Sequence, residues 1–255
     1  MVHFVGAGPG APDLITQRGA ALLQKAGCVI YAGSLVNPAL LGLAGAGCRI
    51  YNSAEMSLPQ VIEAMQQAEK AGVDTVRLHT GDQSIYGAVR EQMDELDRLG
   101  IAWDDTPGVS SFCGAAAALG AEYTLPGISQ TVIITRLAGR TPVPEREALE
   151  KLAAHGASMA IFLSSGMLAG VQQALLAGGA YTPDTPAALV YKATWPEEKI
   201  VHCPLQKLAE SGEKAGISRT ALVLVGGFLA GSGYEKSCLY DPAFTTGYRQ
   251  GTGET

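Results

Sequence analysis

The sequence predicts an α/β protein with two α/β domains, the first built on a mostly parallel sheet and the second on a mixed sheet. Short β-branched segments alternate with longer amphipathic segments in the first half of the 255 residues, which is typical of parallel strands covered by helices. The pattern starts again after Leu125-Pro126-Gly127. We therefore expect domains at residues 1–120 and 121–240, followed by a flexible tail at residues 241–255 that is rich in Thr and Gly.

In the first domain, apolar residues of the longer segments recur at helical spacing, as Leu58, Val61 and Met65 do. The shorter segments are rich in the β-branched residues that strands favour. The predicted strands cover His3–Val5, Val29–Ala32, Arg49–Tyr51, Thr75–His79 and Ala102–Asp104. The predicted helices cover Leu14–Ala26, Leu58–Ala71 and Gly87–Leu99.

The second domain is predicted to contain a β-hairpin, which makes its sheet mixed. The link at residues 192–198 is too short for a helical crossover, so the strands that it joins should be antiparallel. The predicted strands cover Thr131–Thr135, Met159–Leu163, Ala187–Tyr191, Lys199–Cys203 and Thr220–Val225. The predicted helices cover Glu145–Ala154 and Met167–Leu176.

Composition excludes several classes of protein. Hydrophobic residues make up 47% and charged residues 16%, which excludes a disordered chain, and no apolar run is long enough to span a bilayer. The N-terminal residues resemble a first strand and not a signal peptide, so we expect a soluble, cytoplasmic protein. A formal charge of −6 argues against a nucleic-acid partner. The five cysteines and four histidines are scattered and predict neither disulfides nor a metal site.

A glycine-rich loop, Gly6–Ala11, follows the first predicted strand and formally matches the dinucleotide-binding pattern G-x-G-x-x-G/A. Two observations argue against a nicotinamide or flavin site. Pro9 and Pro12 lack the amide donors that such a loop offers to phosphate. No acidic residue occurs between Asp13 and Glu55, where the ribose-binding carboxylate should lie. A tight turn without a ligand remains the plain alternative.

Two further loops follow predicted parallel strands at their carboxyl ends, where open α/β sheets bind ligands. His79–Gly87 contains the pattern GDxxxYG, and Pro107–Ser111 contains PGxSS and leads into an alanine-rich helix. Together with the GxGPG loop at Gly6–Gly10, and in this order, they resemble the tetrapyrrole methylase family. The resemblance covers residues 1 to about 230. It is closest to the precorrin-4 carbon-11 methyltransferase branch through Tyr31–Val36, Thr135–Pro144 and Val190–Pro196.

The resemblance implies that S-adenosylmethionine is the methyl donor, that S-adenosylhomocysteine is its product, and that the active site lies in the cleft between the two domains. It implies no protein-bound metal, a tetrapyrrole substrate and a homodimer. The cofactor-binding positions carried over by motif are Pro9, Gly81, Asp82, Ile85, Tyr86, Gly87, Ser110, Ser111, Ser164, Ala193, Thr220 and Ala221. The substrate-binding candidates are Gly8, Gly10, Arg136, Arg140 and Trp195.

Several of these residues have plainer interpretations. Asp82 is also typical of a helix cap or an Asx-turn, and Ser110 and Ser111 are typical of a helix N-cap. Arg140 can bind a substrate carboxylate or form an ordinary ion pair. Trp195 can stack on a macrocycle or pack the hairpin.

No triad, dyad or metal cluster is visible, so the catalytic group is unassigned. Glu91 is a weak candidate, because solvation and a helix-dipole contact also explain it. Methyl transfer from an activated sulfonium to a nucleophilic carbon mainly requires aligned reactants.

The resemblance implies methylation of carbon 11 of precorrin-4 to give precorrin-5 in cobalamin biosynthesis. The same reaction on a cobalt-containing substrate, a related precorrin or uroporphyrinogen methyltransferase, and a non-catalytic tetrapyrrole carrier remain alternatives.

Overall fold

The computed structural model describes residues 1–252 of the chain, apart from the side chain of Ser34. Contacts divide these residues into two compact units. The first unit contains Met1–Ala115 together with Lys192–Glu198, and the second contains Ala116–Tyr191 and residues 199–252. The short segment Lys192–Glu198, which the sequence places in the second domain, therefore packs with the first unit although it joins two strands of the second.

The sheet of the first unit is entirely parallel, which confirms the predicted class. Its strand order is β3-β2-β4-β1-β5, so β1 and β4 lie at its centre. The last strand is displaced from the predicted Ala102–Asp104 because Val2 pairs with Trp103 and the pairing continues to Thr106. The strands are β1 (Val2–Gly6), β2 (Cys28–Tyr31), β3 (Arg49–Asn52), β4 (Thr75–His79) and β5 (Trp103–Thr106).

Helices cover both faces of this sheet, because successive strand residues point to opposite sides. Phe4 and Ile30 pack in one apolar cluster with Met65, whereas Val5 and Val29 belong to a second cluster. Each such buried side chain contributes about 1.5–3 kcal/mol. The helices are α1 (Gln17–Lys25), α2 (Leu58–Lys70), α3 (Arg90–Leu99) and α4 (Ser111–Leu119).

Helix α3 begins at Arg90 and not at the predicted Gly87. The reason is local, since Tyr86 and Ala88 have φ values of 57° and 48°, which a right-handed helix cannot contain. Helix α1 also begins later than predicted, at Gln17, where the Thr16 hydroxyl accepts a hydrogen bond from the Gly19 amide and caps the first turn.

The sheet of the second unit is mixed, as predicted. Its order is β6-β7-β10-β8-β9, in which β6 and β7 are parallel and every other neighbouring pair is antiparallel. The pairing of β8 with β9 confirms the predicted hairpin. The strands are β6 (Val132–Arg136), β7 (Ser158–Phe162), β8 (Pro186–Tyr191), β9 (Lys199–Pro204) and β10 (Ala221–Val225).

The helices of the second unit differ more from prediction. The segment predicted as one helix at Glu145–Ala154 is divided, because Ala148 is extended between a 3-10 turn at Glu145–Glu147 and the following helix. One short helix that the sequence analysis did not identify, Leu208–Lys214, packs on the same core. The helices are α5 (Leu149–Ala153), α6 (Leu168–Ala177) and α7 (Leu208–Lys214).

The C-terminal chain after β10 is largely exposed. Around residues 239–249 it folds on itself, because the Arg249 guanidinium donates to the carbonyls of Leu239, Asp241 and Phe244. The end of the predicted flexible tail, residues 253–255, lies outside the described residues. Within residues 1–252, no helix combines the length and the apolar character needed to cross a bilayer.

Candidate functional site

Three glycine loops of the first unit meet at backbone contact distance. The Gly81 amide donates to the Gly8 carbonyl at 2.9 Å, and the Gly8 amide donates to the Gly81 carbonyl at 3.2 Å. A Cβ atom on Gly108 would lie 2.1 Å from the Gly81 oxygen, and one on Gly6 would lie 2.5 Å from the Gly108 Cα. The loops after β1, β4 and β5 therefore fit together only because these positions carry no side chain.

Asp82 joins two of these loops. Its carboxylate accepts hydrogen bonds from the Gly108 amide at 2.8 Å and from the Ser84 amide at 2.9 Å. Burial alone would raise the pKa of Asp82, but the hydrogen bonds from Ser84 and Gly108 hold that pKa below its ordinary value. The bond to Ser84 closes an Asx-turn, one of the interpretations left open, whereas Asp82 does not cap α3, which begins at Arg90.

Unsatisfied polar atoms lie at the start of the same loop. Within residues 1–252, three buried side-chain atoms have no hydrogen-bond partner: His79 Nε2, Thr80 Oγ1 and Gln83 Oε1. The side-chain Nε2 of Gln83 donates to the Thr106 carbonyl at 2.9 Å, which anchors the loop to the end of β5. Buried polar atoms in folded proteins are nearly always paired with protein, water or a ligand. The loop after β4 therefore offers bonding capacity that its own chain leaves unused.

His79 is expected to make stability depend on pH. Burial, with a smaller contribution from the Arg77 charge, lowers the pKa of His79 to about 3. In the unfolded chain the group titrates near pH ~6.5, so acid protonates the unfolded state first. Stability should therefore fall by about 1.4 kcal/mol per pH unit as the pH falls from about 6.5 towards about 3.

Urea unfolding at about pH 7 and at about pH 5 measures this dependence. The unfolded state should bind roughly one proton more than the folded state because of His79, and we expect His79→Gln to remove this difference. The same change at the exposed His155 serves as the control. Identical pH slopes in wild type and His79→Gln would contradict the assignment of a buried neutral histidine.

The first glycine loop is covered by the segment that joins β8 to β9. The Trp195 indole nitrogen donates to the Pro9 carbonyl at 3.2 Å, and the Thr194 hydroxyl accepts from the Ala11 amide at 2.9 Å. A Cβ on Gly10 would lie 2.0 Å from the Trp195 ring. The Asn37 side chain also contacts this loop, because it donates to the Gly10 carbonyl at 2.9 Å. The sequence analysis did not single out Asn37, although it directly follows the Tyr31–Val36 motif.

The covering segment has an unusual backbone that its own side chains hold. Lys192 and Thr194 have φ values of 47° and 71°, in the left-handed region. The Glu198 carboxylate accepts from the Thr194 amide at 2.6 Å. The Lys192 ammonium lies 3.4 Å from Glu197 and 4.8 Å from the centre of the Trp195 ring. These contacts fix the indole over Gly10.

The amino end of α4 lies beside the loop after β4. A Cβ on Gly81 would be 3.3 Å from the Ser111 amide, with which α4 begins. The buried Ser110 accepts the amides of Cys113 and Gly114 on its carbonyl, which starts the helix. The first amides of a helix have no intrahelical acceptor, so this end is suited to an anionic or polar ligand atom.

Of the three cofactor-binding candidates in the second unit, Ser164 has structural partners of its own. Ser164 is fully buried, donates to the Phe162 carbonyl at 2.7 Å and accepts from the Leu137 amide at 2.9 Å. Thr220 has a φ of 55° and stands immediately before β10, whose first residue is Ala221. The bonds of Ser164 account for its burial without a ligand.

The two candidate arginines differ. The Arg136 guanidinium donates to the Thr141 and Pro142 carbonyls at 3.1 Å and 2.6 Å, so it holds the loop that follows β6. Arg140 lies in that loop and is exposed, and within the described chain no hydrogen bond or ion pair engages its side chain.

The remaining candidates are placed as follows. Ile85 is half-buried, Tyr86 is 45% exposed, and Ala193 is buried in the first unit. Glu91 is exposed in the first turn of α3, in agreement with the helix-dipole interpretation. Within residues 1–252, no three His, Cys, Asp or Glu side chains are arranged to hold a metal ion.

Comparison with known proteins gives consistent matches. The model of the family described as Tetrapyrrole (Corrin/Porphyrin) Methylases matches residues 1–209. The chain is 51% identical over 249 residues to a cobalt-precorrin-4 C(11)-methyltransferase of Methanocaldococcus jannaschii, a match that covers 98% of this chain and 96% of the relative. It is 44% identical over 254 residues to a precorrin-4 C(11)-methyltransferase of a Sinorhizobium species, with 99% of each chain covered.

Solved structures agree with these relatives. A cobalt-precorrin-4 methyltransferase has a TM-score of 0.87 and 44% identity, over 89% of this chain and 95% of that one. A uroporphyrin-III C-methyltransferase from Thermus thermophilus, complexed with S-adenosylhomocysteine, has a TM-score of 0.74 and 26% identity, over 89% of this chain and 92% of that one. With its three glycine loops in the family's order, the chain belongs to the tetrapyrrole (corrin/porphyrin) methylases.

Proposed function

We propose that this methyltransferase transfers a methyl group from S-adenosylmethionine to carbon 11 of precorrin-4 and forms precorrin-5. One observation carries the proposal. The three glycine loops meet at the carboxyl ends of three neighbouring parallel strands, β4, β1 and β5, in a chain that is 44–51% identical to carbon-11 methyltransferases over at least 98% of its length. Ligands of open α/β sheets bind at such strand ends.

The residues of the first unit fit S-adenosylmethionine. The glycine contacts bring three loops together at backbone distance, the unpaired atoms of His79, Thr80 and Gln83 supply bonding capacity, and the amino end of α4 supplies free amides. The relative complexed with S-adenosylhomocysteine supports the same cofactor. The proposed contacts are Pro9, Gly81, Asp82, Ile85, Tyr86, Gly87, Ser110, Ser111 and Ala193, with Ser164, Thr220 and Ala221 from the second unit.

The chain's contribution to the reaction is orientation. When bound, S-adenosylmethionine supplies a methyl group that is already activated by its sulfonium charge. Asp82 fixes the loops after β4 and β5 to each other, and Trp195 fixes the loop after β1. Holding reactants in line at near-contact distance is worth about 7–11 kcal/mol of the barrier. A rigid backbone site therefore suffices without a strong general base.

Arginine is the proposed contact of the substrate carboxylates. The early tetrapyrroles of cobalamin biosynthesis carry acetate and propionate groups, whereas the chain has a net charge of −6, so binding must depend on local cations. We assign the contact to Arg140, which is exposed, while Arg136 holds the loop that carries it. Gly8, Gly10 and Trp195 are the proposed surface beneath the macrocycle.

Arg140→Lys is expected to weaken tetrapyrrole binding by about 1.5–3 kcal/mol and to leave S-adenosylmethionine affinity unchanged. Lysine keeps the charge but cannot form the bidentate contact of a guanidinium with a carboxylate. Titration with the tetrapyrrole pigment measures the effect. The matched control is Arg146→Lys, because Arg146 is an exposed arginine at the end of the same loop. Equal pigment affinity in both variants would show that the carboxylates are held elsewhere.

Turnover tests the function directly. Purified chain should consume S-adenosylmethionine only in the presence of precorrin-4, and a carbon-13-labelled methyl group should appear at carbon 11 by NMR. A carrier would bind pigment without consuming the cofactor. Label at another ring carbon would indicate a different member of the family.

Cobalt-precorrin-4 is the second candidate substrate, favoured by the name of the 51% identical relative. Competition between the metal-free and the cobalt-containing substrate in one reaction distinguishes the two. We further propose, from the family resemblance, that the chain works as a homodimer and, from its composition and charge, that it is cytoplasmic and binds neither nucleic acid nor membrane.

A further inference from the structure

A buried cation lies on β4, the strand that leads into the GDxxxYG loop. Arg77 on β4 is 6% exposed, and within residues 1–252 no carboxylate pairs with it. Its Nε donates to Gln92 Oε1 at 2.9 Å, and its Nη1 donates to the Ile30 carbonyl at 3.1 Å. Burial lowers the pKa of Arg77 to about 10, so the group is still charged at neutral pH. The charge is therefore stabilised by two neutral acceptors.

Gln92 transmits this contact to the loop. It is 5% exposed on α3, and its Nε2 donates to the Ala88 carbonyl at 2.9 Å. Because a guanidinium can only donate, the side-chain oxygen of Gln92 must face Arg77, and its amino group must then face Ala88. The backbone amide of Gln92 donates instead to Val89. The side chain of Gln92 thus donates to the Ala88 carbonyl, which the backbone of α3 leaves unpaired.

The segment that receives this bond has an unfavourable backbone. Tyr86 and Ala88 have φ values of 57° and 48°. A Cβ on Gly87 would lie 2.1 Å from the Gln83 carbonyl, so the backbone between them is tightly folded. Non-glycine residues persist in the left-handed region only where surrounding contacts hold them.

We propose that Gln92, oriented by Arg77, is a positioning residue that holds Tyr86–Ala88 in the conformation required for cofactor binding. The inference rests on the proposed cofactor contacts of Tyr86 and Gly87. Gln92 lies outside the GDxxxYG motif. It acts through its hydrogen bond to the Ala88 carbonyl and not by touching a ligand.

The variant Gln92→Glu separates the two bonds. Glutamate still accepts from Arg77, whose charge keeps it ionised, but it has no proton to donate to Ala88. We expect an unchanged or higher melting temperature. The KM for S-adenosylmethionine should rise on the order of 10-fold, which corresponds to the free-energy cost of leaving the Ala88 carbonyl without a donor. The kcat at saturating cofactor should stay near that of wild type. Gln24→Glu, an exposed position on α1, controls for the added charge.

Hydrogen exchange and a second substitution make the test independent of folding defects. Amides at residues 83–89 should exchange faster in Gln92→Glu than in Gln24→Glu, and this measurement needs no cofactor. Adding Ala88→Gly should recover part of the lost affinity, because glycine adopts positive φ without strain.

Unchanged exchange and unchanged KM in Gln92→Glu would overturn the proposal, as would a complete lack of recovery with Ala88→Gly. A marked loss of melting temperature that Ala88→Gly does not reverse would assign Gln92 to the core alone. If the wild-type chain fails to bind S-adenosylmethionine, the proposed function fails, while the exchange data still decide whether Gln92 holds the segment.

Discussion

Replacing Gly108 with alanine is expected to destabilise the first unit by about 2.5–6 kcal/mol and to abolish cofactor binding. The added methyl group would lie 2.1 Å from the Gly81 oxygen and 2.7 Å from the Gly6 Cα, both backbone atoms that no rotamer change can move. Overpacking of this kind costs about 1–3 kcal/mol. The loop must then shift away from Asp82, which loses a charge-assisted hydrogen bond worth about 1.5–3 kcal/mol.

Thermal denaturation and calorimetric titration with S-adenosylmethionine measure the two effects. The matched control is Gly42→Ala, because a Cβ at Gly42 meets nothing within 4 Å. We expect the control to melt and bind as wild type does. If Gly108→Ala keeps both its melting temperature and its affinity, the three loops are more compliant than the contact distances indicate, and the proposed role of their close approach is wrong.

The parallel sheet and the positions of the three glycine loops could be predicted from the sequence. Thr75–His79 was predicted with its observed bounds, because it is a short segment that begins with the β-branched Thr75 and Val76 and ends just before a glycine-containing loop. The loops follow from the same pattern, since each comes directly after a strand. The family could be predicted because three short motifs occur in a fixed order.

The contacts that hold the loops together could not be predicted. The bond from Asn37 to Gly10 joins residues 27 positions apart, and the contact of Trp195 with Pro9 joins residues 186 apart. Such bonds leave no periodic pattern in a single sequence. The start of α3 was missed for a related reason, because Tyr86 and Ala88 adopt the left-handed backbone although neither residue is a glycine.

Gly10→Val is expected to reduce turnover by about 100-fold while S-adenosylmethionine affinity changes much less. The Cβ would lie 2.0 Å from Trp195 Cδ1 and 2.2 Å from Nε1, so the indole must leave the first loop and its bond to the Pro9 carbonyl. Gly10 belongs to the proposed substrate surface, whereas the proposed cofactor contacts lie mainly on the loops after β4 and β5. A displacement of about 1 Å in a positioning surface is enough for a loss of this size.

A double-substitution cycle identifies the cause. If the clash with the indole is responsible, Trp195→Ala should make room for the valine, and Gly10→Val should then reduce turnover far less than it does in the wild-type background. Gly42→Val, in open space, is the control for the larger side chain. Equal losses in turnover and cofactor affinity would show that the first loop serves the cofactor or the fold. Additive effects of the two substitutions would show that Trp195 does not act through Gly10, because residues in direct contact should couple.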